Sequence, residues 1–162
     1  MRVLFTVALA VAVAGVVLPA VETAGRDRAE SETRDAVETL VQAARSLSDG
    51  NDALRDPDAA ARQVLVLDLP DDGFASARLA SLSVGPPPST TPETGSGDAA
   101  TTRAVWRVGG GQRHTMAVDG IRLRASDGSR FRLDGGGRHR LVLRLVDHDG
   151  DRVVTVSRDG TG

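Results

Sequence analysis

The sequence contains no cysteine and no tyrosine, and aromatic residues make up only 2% of its 162 positions. Without cysteine there is no disulfide scaffold, thiolate-ligated zinc, iron–sulfur centre or cysteine nucleophile. So few rings also argue against a stacking platform for single-stranded nucleic acid. Lysine is missing too: all 20 basic residues are arginine, set against 17 Asp and 5 Glu. The formal net charge is −2, but it is unevenly spread. Residues 22–100 carry 15 acidic and 7 basic side chains, a net of −8; residues 101–162 carry 7 and 12, a net of +5. Such asymmetry suits an acidic partner for the C-terminal part, or two parts that face each other or water within one fold.

Only one long stretch lacks charge. Val3 to Val21 reads VLFTVALAVAVAGVVLPAV, 19 residues. As a helix it would be about 28 Å long, close to the ~30 Å of a bilayer's hydrocarbon core. Apolar residues on every face disfavour a buried core helix. The segment 1–21 is therefore expected to be a retained transmembrane anchor. The competing reading is a cleaved signal, with Arg2 as its basic start and Leu18-Pro19-Ala20 as its small-residue exit. The short N-terminal tail and signal-like start favour export of the domain.

Residues 22–50 have the period of an amphipathic helix. Thr33, Val37, Leu40, Ala44 and Leu47 recur at steps of four and three, which puts them on one stripe. Asp49-Gly50-Asn51 ends the helix, with Gly50 able to adopt the left-handed conformation. Residues 51–84 connect helix to sheet. Gln63 to Leu69 alternates as a strand, and Ala77 to Val84 fits either a strand or a short helix. Residues 85–102 (GPPPSTTPETGSGDAATT) hold four of the seven prolines and no large apolar side chain. They make a surface loop with too little to bury.

Residues 103–162 are short alternating runs broken by Gly109-Gly110-Gly111, Asp119-Gly120, Asp127-Gly128, Gly135-Gly136-Gly137 and Asp149-Gly150. Turns this close together predict an antiparallel meander with an Asp-Gly hairpin. One face carries Trp106, Met116, Ile121, Leu123, Phe131, Leu133, Leu141, Leu143, Leu145, Val154 and Val156. Arg122, Arg124, Arg130, Arg132, Arg140 and Arg144 occupy alternate positions. The apolar face must be covered, and the amphipathic helix is the available cover. The expected class is α+β: a long N-terminal helix, membrane half plus amphipathic half, packed on an antiparallel β-sheet.

No catalytic, cofactor-binding or metal-binding residue is assigned. The arginine face suits phosphate, nucleic acid or an acidic protein. Asp119, Asp127, Asp134, Asp147 and Asp151 can neutralise much of it, so it is read as solvated, with protein docking second and nucleic acid excluded. Asp147-His148-Asp149-Gly150-Asp151 begins like a calcium loop, but Arg158 stands where the distal acid is needed. The same residues make a hairpin turn. His114, His139 and His148 lack the i,i+4 spacing of a zinc pair. The two Gly-Gly-Gly runs do not join a strand to a helix as phosphate loops do. No G-x-S-x-G elbow occurs. These features predict no enzyme, no cofactor and no small-molecule substrate.

An apolar helix running into an amphipathic one and then into a sheet resembles the type IV pilins and pseudopilins. The likeness is one of architecture: only Met1 and Arg2 precede the apolar run, and the first glutamate, Glu22, follows it. The chain is also similar to a family of short haloarchaeal proteins that begin with such an anchor. Pro19 to Leu40, Val105 to Thr115, Gly135 to Val146 and Gly150 to Arg158 carry that similarity, and a Lys-free, Asp-rich composition fits the source. The resemblance implies a single-span, membrane-anchored structural or accessory protein of the archaeal envelope. Its partners would be the bilayer, through residues 3–21, and other envelope or pilus subunits, with the soluble domain outside the cell. The alternative is a secreted binding module with a cleaved signal peptide.

Overall fold

A helix stays on a protein surface only if one stripe of it has somewhere to go. In the computed structural model, which describes residues 2–71, 77–87 and 102–159 with side chains from Thr23 onward, helix α1 spans Arg2–Asp49. Ala29, Thr33, Ala36, Val37, Leu40, Val41, Ala44 and Leu47 are buried along one side. The Thr33 hydroxyl donates to the carbonyl of Ala29 at 2.7 Å, so burying it leaves no polar atom stranded. Residues 88–101 of the proline-rich loop lie outside what is described, and the anchor segment 3–21 is described only as part of the helical backbone.

The helix ends without the left-handed glycine expected of it, since Gly50 has no positive φ. Asn51 Nδ2 donates instead to the carbonyl of Leu47 at 3.0 Å. The guanidinium of Arg152 donates to the carbonyls of Ser48 and Asn51. The last turn has no basic residue of its own. Arg152 therefore brings from a strand the cation that the negative end of the helix favours.

Eight strands follow among the described residues: β1 (Arg62–Leu69), β2 (Leu79–Gly85), β3 (Thr102–Val108), β4 (Arg113–Val118), β5 (Arg122–Ala125), β6 (Phe131–Leu133), β7 (Gly137–His148) and β8 (Asp151–Arg158). They form two four-stranded sheets, ordered β1-β7-β8-β5 and β4-β3-β2-β6. All pairings are antiparallel except β5 with β8. Strands β7 and β8 form the expected hairpin. Asp149 (φ 56°) and Gly150 (φ 88°) are both left-handed, as a two-residue type I′ turn requires.

The inner faces of both sheets and the helix stripe form one buried cluster. It joins Leu141, Leu143, Leu145 and Val154 of the first sheet to Leu82, Val84, Trp106 and Leu133 of the second, with Leu40 and Leu47 of the helix. A smaller cluster of Ala60, Val146 and Val153 lies apart from it. The side chain of Thr102 ties the sheets where they meet. Its buried hydroxyl donates to the carbonyl of Ile121 at 2.7 Å and accepts from the amide of Leu123 at 2.8 Å.

This architecture corrects the expected α+β class. The protein is mainly β, with residues 23–49 of its helix packed against two sheets, rather than a long helix lying on one antiparallel sheet. The meander is likewise replaced by two sheets, one of them mixed. The physical reason is width. A helix about 10 Å across covers roughly two strands spaced about 4.8 Å apart. The apolar faces of eight strands need more cover than that, and each sheet supplies most of it to the other.

Candidate functional site

Outward-facing arginines occur on both sheets, and their surroundings differ. On the first sheet, Arg138 Nε lies 3.0 Å from Asp68 Oδ1 and Arg140 Nε 2.6 Å from Asp159 Oδ2, and Arg122 pairs with Asp151. Half of the six arginines on that face are thus held by a carboxylate, with Arg62, Arg124 and Arg144 beside them.

The second sheet presents Arg103, Arg107, Arg113, Arg130 and Arg132 around a groove of about 550 Å³. Asp134 is the only acid lining it, and none of the five is in an ion pair among the described residues. Strand alternation builds the groove. In β3 the buried residues are Ala104, Trp106 and Val108, so Arg103, Val105 and Arg107 face out. Register sets Arg113 opposite Arg107 and Thr115 opposite Val105 on one side. On the other side Ser83 lies opposite Val105 and Gly85 opposite Arg103. Arg132 follows beyond Ser83. Small and hydroxylated residues (Ser81, Ser83, Thr115) thus floor the groove, with Arg103 and Arg130 toward one end, Arg107 and Arg113 toward the other, and Arg132 beside the middle.

Gly85 is required where it stands. Its φ is 155°, and a Cβ there would sit 3.0 Å from the Cα of Arg130. The missing side chain lets the β6 end come up against β2. Arg130 donates to the carbonyl of Arg103 at 3.2 Å, yet its buried Nε has no partner. Burial first, then repulsion from Arg132 and Arg103, pulls the pKa of Arg130 below the ordinary guanidinium value. Like charges are pressed together here, and none of the three is in an ion pair among the described residues.

The structure separates residues that the sequence grouped. Arg122, Arg124, Arg140 and Arg144 belong to the first sheet and only Arg130 and Arg132 to the second. Arg103, Arg107 and Arg113 complete the groove; the alternation in RAVWRV (103–108) was the signal for the first two, and Arg113 joins them only through the β3–β4 register. Of the acids expected to neutralise the arginines (Asp119, Asp127, Asp134, Asp147 and Asp151), only Asp134 reaches the groove. Asp127 accepts from the amide and hydroxyl of Ser129, Asp147 from the amide of Gly150, and Asp151 pairs on the first sheet.

The histidines lie apart. His114 stacks on Trp106 with ring centroids 5.6 Å apart. Its Nε2 is 3.2 Å from Glu30 Oε1, an ion-pair approach without hydrogen-bond alignment. His139 is in β7 and His148 at the hairpin, 3.8 Å from Asp149. No three His, Asp or Glu side chains among the described residues are grouped to hold a metal. Among the described residues no helix is long and apolar enough to cross a membrane.

A family described as a domain of unknown function (DUF7311) matches residues 1–159. Comparison with curated proteins and with solved structures finds no match.

Proposed function

The chain belongs to the DUF7311 family, and we propose that it is a non-catalytic accessory protein of the cell envelope. In this reading residues 3–21 hold it to a lipid bilayer and the β body faces outward, toward other envelope or pilus subunits. A haloarchaeal source goes with the reading, on the strength of the Lys-free, Asp-rich composition. The observation that carries the anchored role is the close coupling of segment and body. The uncharged run ends at Val21, and among the described side chains of α1 burial begins at Gly25 and Ala29. An anchored leader would hold the body stiffly, with no slack linker between them.

The non-catalytic part rests on the sequence, which offers neither a thiol nor a nucleophile elbow. A secreted binding module is the second reading. It is favoured by the same boundary, because cleavage near Val21 would leave every residue of the described core in the mature chain. Fractionation of the native host decides between them. The anchored reading expects full-length protein in the membrane pellet after a high-salt wash. Soluble protein with a mature N-terminus near Val21 by mass spectrometry would overturn it in favour of secretion.

A further inference from the structure

In a chain without lysine, arginine by itself says little about a ligand. What distinguishes the second sheet's outer face is that, among the described residues, none of its five arginines is in an ion pair, while three of the six across the molecule are. The face is also concave. Its volume of about 550 Å³ falls among pockets for small ligands, not flat protein-docking surfaces. Arg103 and Arg107 are four residues apart on one strand, so their Cα atoms are about 13 Å apart at ~3.3 Å per residue. A single small anion cannot meet both ends of such a groove, whereas a short chain of anions can.

We propose that this groove binds a short oligophosphate chain, clamped by Arg103 and Arg130 at one end and by Arg107 and Arg113 at the other, with Arg132 flanking its middle opposite Ser83. The planar guanidinium fork matches phosphate oxygens two at a time. The hydroxyls of Thr115 and Ser83 lie between the ends, and that of Ser83, which donates to the Val105 carbonyl at 3.5 Å, would turn from that long bond to the middle of the chain. Binding relieves the repulsion around Arg130 and gives its buried Nε an acceptor. Recognition is of phosphates alone. Trp106, the one tryptophan, is turned inward at 2% exposure and Phe131 is buried, so among the described residues neither ring is offered to a nucleobase. The inference is independent of how the chain is held at a membrane.

The test is calorimetric titration of the full-length protein with sodium tripolyphosphate, with ATP and orthophosphate as comparisons. Saturable one-to-one binding is expected, equal for ATP and tripolyphosphate and about ten-fold weaker for orthophosphate. The Arg103→Ala/Arg107→Ala double variant should weaken binding by about ten-fold or more. Arg113→Ala, on an edge strand, should weaken it in the same direction if the double variant fails to fold. Arg122→Ala/Arg140→Ala on the first sheet should leave it within two-fold. Lack of saturation, equal losses in both sets of variants, or tighter binding of poly-glutamate or anionic vesicles would overturn the proposal.

Discussion

Leu40 is 1% exposed and sits in the cluster that joins the helix to both sheets. Leu40→Ala removes most of an apolar side chain and leaves a cavity that well-packed neighbours cannot fully close. Such changes cost about 2–5 kcal/mol. With the helix packed against two sheets, collapse from any side is restricted, so about 3 kcal/mol is expected. Against a total stability of roughly 5–15 kcal/mol, that lowers the melting temperature by about 10 °C for a body of this size. Urea unfolding followed by Trp106 fluorescence is the suitable assay, because the reporter sits on β3 and the perturbation on α1. The midpoint should fall with the slope unchanged, and Gln42→Ala on the exposed side should shift stability by less than about 0.5 kcal/mol. A loss below about 1 kcal/mol, or helix melting that leaves the Trp106 transition in place, would refute a shared core.

Thr102→Val keeps the shape of the side chain but strips partners from the Leu123 amide and the Ile121 carbonyl. It should cost about 2–3 kcal/mol by chemical denaturation. Gly85→Ala should destabilise by roughly 1–3 kcal/mol and weaken tripolyphosphate binding, since a Cβ there pushes the β6 end away from β2; a neutral effect on both would contradict the packing described. The Ser129 hydroxyl and then its amide hold the Asp127 carboxyl below its ordinary pKa. The resulting stabilisation is full above the unfolded value of about 3.9 and is lost as pH falls through the lowered folded value. The melting temperatures of wild type and Asp127→Ala should therefore converge on acidification from pH 6 toward pH 2.

Much of the local structure was legible. The stripe from Thr33 to Leu47 is buried as its spacing required, and the run between Gly109-Gly110-Gly111 and Asp119-Gly120 contains a strand, Arg113–Val118. The ambiguous run from Ala77 to Val84 has a physical explanation. A register shift between Leu79 and Ser81 leaves Leu79 and Leu82 buried three residues apart, a helical spacing produced by a strand. The division into two sheets was not legible. Period-two alternation tells which side chains share a face of one strand, but not which strands share a sheet. The parallel pairing of β5 with β8 shows this, since a four-residue strand between two turns carries no mark of its partner. The groove was hidden for the same reason. Arginines at alternate positions looked like one face, but the fold distributes them over two and pairs acids with only one.

The central claim, that arginines of the second sheet receive an anion while Arg122, Arg138 and Arg140 of the first are held by carboxylates, can be read residue by residue. Two-dimensional NMR of the arginine Nε–Hε groups, recorded through a tripolyphosphate titration, has no lysine signals to complicate it. The account predicts saturable shifts confined to Arg103, Arg107, Arg113, Arg130 and Arg132, with Arg122, Arg138 and Arg140 unmoved. Shifts spread evenly over all the arginines, or concentrated on the paired ones, would contradict it.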